Sequence, residues 1–343
     1  MLRKAFAVRA YAGESALRRT AIAVRAGLQQ PITQSQSNSM SEDNTTAKKP
    51  RIDEDAAKPG TADQGMNIAK DGWFTELGSM WPGQGLSLKV KEVLYKGKSK
   101  FQDVCVFETD AYGTVLVLDG VIQATDRDEF SYQEMMAHIP LCALEEPAKR
   151  ALVVGGGDGG VLRELARHTS LQEIHIAEID GDVPEVSKKY FPGMAVGFND
   201  PRVTVHICDG IKFVQDAEEG SYDVIIVDSS DPVGPAEVLY QQPFFEAMHR
   251  ALRPGGIICT QAESLWLHMD IIQSLASMCK TIGMMVCCKG RQLDMRQPRQ
   301  QAPAPHEQLG IGFLRYYSHN IHKAAFVLPQ YAYDALKDSL THV

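Results

Sequence analysis

The sequence predicts an α/β chain: a doubly wound parallel sheet with helices on both faces, preceded by a small antiparallel β domain. Three observations predict it. First, Ala151-Leu-Val-Val-Gly-Gly-Gly-Asp-Gly-Gly-Val-Leu-Arg163 reads as an apolar strand, a turn of five glycines around Asp158, and the start of a helix. Second, the strand Ile174-His-Ile-Ala-Glu178-Ile-Asp180 ends in carboxylates, and Glu178 lies 20 residues beyond Asp158, the spacing of a ribose-binding carboxylate. Third, strand-like and helix-like segments alternate from residue 150 onward.

Taken from the N-terminus, residues 1–28 are rich in Arg and Ala and hold one acid, Glu14, in the manner of an organellar transit peptide. A disordered leader, or translated sequence upstream of a start at Met40 or Met66, is the competing reading. Residues 29–70 are polar and read as linker, which makes 1–70 a disordered leader. Residues 71–130 read as the β domain. In it Trp73-Phe-Thr-Glu76, Leu86 to Leu94, Val104-Cys-Val-Phe107 and Thr114 to Leu118 are strand-like, and Tyr112-Gly113 and Asp119-Gly120 are hairpin-type turns.

A helical pattern from Phe130 to Leu144 leads into a larger domain, residues 131–343. Its strands are expected at 150–155, 172–178, 203–207, 222–228 and 256–262, and its helices at 159–168, 183–190, 210–217, 243–252 and 268–281. In such a Rossmann-like sheet, ligands sit beyond the carboxyl ends of the strands. Five acids fall there: Asp158, Glu178, Asp209, Asp228 and Asp231. One strand-end acid is commonly only a helix cap; five on one rim point to a site. The loop Asp228-Ser-Ser-Asp-Pro-Val-Gly-Pro235 sets two carboxylates three residues apart. Such a pair can bind a metal, share a proton or hold a cationic substrate. With no histidine or third acid adjacent, a metal ranks lowest.

Composition narrows the partners. Residues 1–60 hold 10 Lys and Arg against 6 Asp and Glu, while residues 61–343 hold 25 against 37. The acidic body argues against nucleic acid and suits cationic substrates. Seven cysteines without a Cys-x-x-Cys pair suggest neither a disulfide framework nor a zinc site, and fit a reducing compartment. No apolar run approaches the roughly 18 residues of a membrane span.

Several long segments carry a resemblance. Asp119-Gly-Val-Ile-Gln-Ala-Thr-Asp-Arg-Asp-Glu-Phe-Ser-Tyr-Gln-Glu134, Gly155 to Gly160 and Asp228 to Pro235 resemble the spermidine synthase family, polyamine aminopropyltransferases with a methyltransferase-type sheet. So do Trp81-Pro-Gly-Gln84, Gln261-Ala-Glu-Ser-Leu-Trp-Leu-His268 and His322-Lys-Ala-Ala-Phe-Val-Leu-Pro329. The resemblance implies transfer of an aminopropyl group from decarboxylated S-adenosylmethionine to putrescine, giving spermidine and methylthioadenosine. It implies no metal and no cofactor, since decarboxylated S-adenosylmethionine is a co-substrate. It also implies a homodimer or homotetramer joined partly through the β domain. Localisation is expected to be cytoplasmic, with plastid or mitochondrial import if 1–28 is a transit peptide.

The same resemblance assigns residues. Asp158 occupies the place where methyltransferases leave the glycine turn open to the methionine carboxylate. A carboxylate there repels that group and attracts an aminopropyl ammonium. Glu178 is implied to hold the ribose, Asp209 and Gly210 the adenine, and Gln102 and Gln133 further parts of the nucleoside. Asp228 is implied as proton acceptor, Asp231 as a diamine contact and Tyr132 as a wall of the diamine pocket; Trp266 and His268 read as scaffold. An Asp is a weak base toward an amine of pKa about 10, so orienting the nitrogen is its larger contribution.

One segment departs. After the strand that starts near Met284, the family carries a Tyr-rich Pro-Thr-Tyr-Pro-Ser-Gly segment and a further strand. Residues 289–308 hold no tyrosine and are rich in Gln and Pro, so a loop or disorder is expected. The missing strand would leave backbone groups inside the sheet unpaired. A misjoined coding segment and a genuine variant with an opened diamine pocket both fit. The alternatives are a catalytically impaired relative serving as a partner subunit, a putrescine N-methyltransferase, which Asp158 disfavours, and a spermine-type synthase.

Overall fold

The computed structural model describes residues 68, 71–78, 80–232, 234–261, 264–279, 285–289 and 293–337. The expected leader and linker lie outside the described residues, Ile68 excepted.

The first part is two sheets. Strands β1 (Trp73–Glu76) and β2 (Leu86–Lys89) pair antiparallel, and β3 (Glu92–Lys98), β4 (Asp103–Thr109), β5 (Gly113–Leu118) and β6 (Val121–Thr125) form an antiparallel meander. Between β5 and β6, Asp119 and Gly120 take φ of 48° and 78°. That two-residue turn twists with its strands, and Asp and Gly are the residues that tolerate it. One face of the meander packs Cys105, Phe107, Val115 and Val117 against Phe74 and Leu88. Val104, Val106 and Leu116 on the other face join the main core. Burial on both faces explains why Val104–Phe107 is apolar throughout rather than alternating.

Helix α1 (Glu129–Ala143) follows and is buried on almost every side. Its polar residues are therefore paired, as burial demands. Glu129 meets Arg163 at 2.8 Å and His138 meets Glu164 at 3.2 Å. Glu134 accepts the backbone N–H groups of Arg315, Tyr316 and Tyr317 at 2.7, 2.8 and 2.6 Å, which ties the C-terminal stretch to the core.

The second part alternates β7 (Arg150–Gly155), α2 (Gly160–Ala166), β8 (Glu173–Glu178), α3 (Asp182–Tyr190), α4 (Pro192–Ala195), β9 (Val203–Ile207), α5 (Gly210–Asp216), β10 (Tyr222–Asp228), α6 (Gln242–Ala251), β11 (Leu252–Thr260), α7 (Met269–Cys279) and β12 (Met285–Cys288). Sheet order is β12-β11-β10-β7-β8-β9. Along β7, Ala151 and Val153 face one core cluster while Leu152 and Val154 face the other; in β10, Val224 and Ile226 alternate with Ile225 and Val227. Two buried faces require helices on both sides. The chain runs outward from β7 to β9 on one side and from β10 to β11 on the other, so a crevice opens where β7 and β10 meet.

One expectation needs correction. The sheet is mixed, because β12 pairs antiparallel with β11, from Ile257 opposite Cys288 to Thr260 opposite Met285. This edge strand supplies β11 with partners, so the described β11 is not left unpaired at those positions. The segment after β12, described from Leu293, is a loop, one of the two expected outcomes, and it is docked. The backbone N–H groups of Arg299 and Gln300 donate to Cys142 O at 2.6 and 2.9 Å. The Arg299 guanidinium reaches Ala143 O at 3.0 Å, and Gln300 Nε2 reaches Leu144 O and Glu145 O at 3.0 and 2.9 Å. A helix end leaves such carbonyls without partners; the polar composition of this loop matches that demand.

Candidate active site

The carboxyl ends of β7, β8 and β10, with the N-termini of α2 and α5, frame one cavity. Gly155, Gly156, Asp158, Glu178, Asp209, Gly210 and Asp228 line it from the large sheet, and Gln102, Leu116, Leu118 and Gln123 from the meander. Tyr132 of α1 and Gln261 beyond β11 complete the wall.

The glycine turn makes the cavity floor. Gly155 has φ of 79°, and a Cβ there would lie 2.3 Å from Asp228 O. Its neighbour Gly156 donates from N to that carbonyl at 2.7 Å. Only glycine lets β7 turn this tightly against the end of β10.

Asp158 is fixed from two sides. Its Oδ1 accepts the Gly160 N–H at 2.8 Å, and Gln133 Nε2 lies 3.2 and 3.1 Å from Oδ1 and Oδ2. Gln133 is fully buried and not among the residues lining the cavity. It stands behind Asp158.

Glu178 accepts N–H groups of Gly157 at 3.1 Å and Asp180 at 2.8 Å. Burial pushes its carboxyl up to about 7, the Asp180 charge adds to the rise, and those N–H groups oppose it. Asp209 caps α5: its Oδ1 accepts from the N–H of Ile211 at 2.8 Å and of Lys212 at 3.4 Å. It lines the cavity as well, so capping and site readings coincide there. Gln102 donates from Nε2 to Asp180 Oδ2 at 2.7 Å, and Ser99 Oγ donates to the same oxygen at 2.7 Å.

At the other end of the cavity, the Tyr132 hydroxyl donates to Asp228 Oδ1 at 2.8 Å. Burial first, then the Asp228 charge, raises the phenol far above its usual value, so Tyr132 remains a proton donor to that carboxylate. Asp231 is buried and not among the lining residues. Trp266 is exposed and stacks on Tyr331 with ring centroids 4.7 Å apart, while His268 packs on Trp81 at 5.2 Å.

The electrostatics select a ligand class. Among the described residues, the lining holds five carboxylates, Asp119, Asp158, Glu178, Asp209 and Asp228, and no Lys, Arg or His. A phosphorylated nucleotide would be repelled; a nucleoside carrying positive charge is attracted. Among the described residues, no group of three or more His, Cys, Asp or Glu is placed to hold a metal ion. None of the described helices is long and apolar enough to cross a membrane.

Two family models match along the chain. Residues 72–126 match the spermidine synthase tetramerisation domain and residues 129–289 match the spermine/spermidine synthase domain. The chain belongs to the spermidine synthase family. It is 51% identical to spermidine synthase 2 of Arabidopsis thaliana over 289 residues, covering 78% of this chain and 85% of that protein. Spermidine synthase 1 of Pisum sativum is 50% identical over 293 residues, covering 79% and 87%. A spermidine synthase solved with the transition state analogue AdoDATO superposes with a TM-score of 0.68 at 29% identity, covering 79% and 97%. The spermidine synthase of Thermotoga maritima gives 0.66 at 28%, covering 79% and 96%.

Sequence reasoning missed part of this spermidine synthase cavity. Gln123, Ser230 and Gln261 line it without having been assigned a role, and Asp180 anchors Gln102. Gln261 follows directly on β11, and the strand-end rule that found the acids applies to it equally. Asp180 belongs to the acid-ended stretch Ile174–Asp180 but has no role assigned from the sequence, and Gln123 carries no such signal, because its place depends on how the meander meets the large sheet.

Proposed function

We propose that this chain transfers the aminopropyl group of decarboxylated S-adenosylmethionine to putrescine, with the cavity as the site. The carrying observation is the set of five carboxylates, with no cationic side chain among the described lining residues, on a crevice built for a nucleoside.

The adenine lies toward Asp209 and Gly210 at the N-terminus of α5. The ribose hydroxyls donate to the oxygens of Glu178, and Gln102 adds a neutral contact. The aminopropyl ammonium is held by Asp158, which Gln133 and the Gly160 N–H keep in one orientation. A methionine carboxylate at that place would meet like charge. Gln133 thus contributes by positioning Asp158.

Putrescine enters beside Tyr132 and Asp228, with Asp231 contributing negative charge toward its far amine. The attacking amine must be neutral, and Asp228, oriented by Tyr132, accepts its N–H and receives the proton as the C–N bond forms. The C–S bond breaks at the same carbon, and its electron pair converts the sulfonium to the thioether of methylthioadenosine. That leaving group is neutral, so no general acid is needed. Alignment of amine nitrogen, carbon and sulfur is the main contribution of the site.

The protein works as a homo-oligomer, dimer or tetramer, joined through the sheets at 72–126, in the cytoplasm unless residues 1–28 direct import. Calorimetry with methylthioadenosine tests the nucleoside reading. Binding of methylthioadenosine at least tenfold tighter than of AMP or ATP is expected, and equal binding of the phosphorylated nucleotides would contradict it.

A further inference from the structure

A ring of hydrogen bonds sits behind Tyr132 and Asp228. Gln261 is 4% exposed. Its carboxamide lies 3.3 Å from Ser230 O and 2.7 Å from the Tyr240 hydroxyl through Nε2, and 3.3 Å from the Tyr132 hydroxyl through Oε1. The Tyr240 hydroxyl in turn lies 3.3 Å from Ser230 O. A backbone carbonyl only accepts, so the carboxamide must turn its NH2 toward Ser230 O, which settles the orientation of the amide. One N–H then goes to Ser230 O and the other to Tyr240, whose own O–H turns back to Ser230 O. Every donor in the ring has an acceptor.

What remains is Oε1. It is set beside the Tyr132 hydroxyl, whose single proton goes to Asp228 at 2.8 Å. Gln261 Oε1 and the Asp228 carboxylate therefore flank one phenol oxygen on the wall of the cavity, and an amide or carboxylate oxygen has more than one lone pair to offer. A neutral primary amine has two N–H donors and one lone pair. Two acceptors on one side take the donors and leave the lone pair to point at an electrophilic carbon. Tyr240, at the end of the turn Gly234–Tyr240, does not line the cavity itself and acts through Gln261.

We propose that Tyr240 is a positioning residue of the diamine site: by fixing the Gln261 carboxamide it presents Oε1, beside Asp228, as the second acceptor for the attacking amine. This rests on the aminopropyl-transfer reading and adds to it a residue from the turn after β10. It also gives the pocket a tyrosine-supported wall in a chain whose residues 289–308 contain no tyrosine.

Tyr240→Phe removes only the hydroxyl. The chain is saturated with methylthioadenosine, and putrescine binding is read by calorimetry for the parent, Tyr240→Phe, Gln261→Ala and the double variant. Loss of one neutral hydrogen bond corresponds to about three- to tenfold weaker binding. Putrescine affinity is expected to fall by that factor in Tyr240→Phe, with methylthioadenosine affinity unchanged and with no further loss when Tyr240→Phe is added to Gln261→Ala. Equal putrescine affinity in parent and Tyr240→Phe overturns the inference while leaving the aminopropyl-transfer reading intact, as does additivity in the double variant. Absence of putrescine binding to the parent overturns both.

Discussion

The Tyr132 hydroxyl donates a 2.8 Å hydrogen bond to Asp228 Oδ1, joining residues 96 apart in the chain. One is carried by α1 and the other ends β10, so the acceptor oxygen is oriented only when helix and sheet are packed together. Tyr132→Phe keeps that packing and removes the bond. A hydrogen bond to a charged group is worth about 1.5–3 kcal/mol, so aminopropyl transfer is expected to fall by roughly ten- to a hundredfold. Methylthioadenosine affinity should stay within about twofold. Steady-state kinetics with calorimetry on the same preparation measures both.

Asp158 should govern selection against the carboxylated form of the co-substrate. Two like charges about 4 Å apart repel by roughly 4 kcal/mol near a protein surface. Asp158→Asn is therefore expected to narrow the preference for decarboxylated over intact S-adenosylmethionine by at least about tenfold. Competitive displacement of methylthioadenosine by each form reads the ratio; an unchanged ratio would place the selecting charge elsewhere.

Gly155 is expected to tolerate no side chain. Its left-handed φ alone costs an L-residue about 1–2 kcal/mol, and the added Cβ would meet Asp228 O at 2.3 Å. Gly155→Ala should lower thermal stability and displace the acid it touches, so residual folded protein should also be inactive. Calorimetric unfolding and an activity assay check the two effects together.

Glu178 makes nucleoside binding depend on pH. With its carboxyl at about 7 in the free protein, the charged form that accepts ribose hydroxyls is half populated near neutrality. Methylthioadenosine affinity is expected to rise as pH increases from 6 to 8, and to lose that dependence in Glu178→Gln. Stability moves oppositely. The folded value is raised, so the folded chain holds a proton that the unfolded chain has released between about 4.5 and 7. The contribution is full below about 4.5 and is lost by about 7, a change of about 3 kcal/mol. Denaturant midpoints of parent and Glu178→Gln across that range test the sign.

Much of the sheet was legible because its signals are local. Strands at 150–155, 203–207 and 222–228 match β7, β9 and β10, as apolar runs bounded by glycine or acid leave little choice. The glycine turn, with Asp158 and Glu178, located the crevice for the same reason. Pairing was not local. Nothing in Met285-Val-Cys-Cys288 sets its direction against β11, and the docking of Arg299 and Gln300 on the end of α1 depends on carbonyls more than 150 positions away. Gln133 illustrates the same limit within the site: from sequence it stands next to Tyr132, and only the packing of α1 on α2 shows that it faces Asp158 from behind.

Product formation tests the central claim most directly. The purified chain is given decarboxylated S-adenosylmethionine with putrescine, or with spermidine in a parallel reaction, and the amines are identified by mass spectrometry. The expected result is spermidine and methylthioadenosine in equal amounts from putrescine, little product from spermidine, and a rate lowered at least about a hundredfold in Asp228→Asn. A folded, methylthioadenosine-binding chain that yields no spermidine would contradict the account.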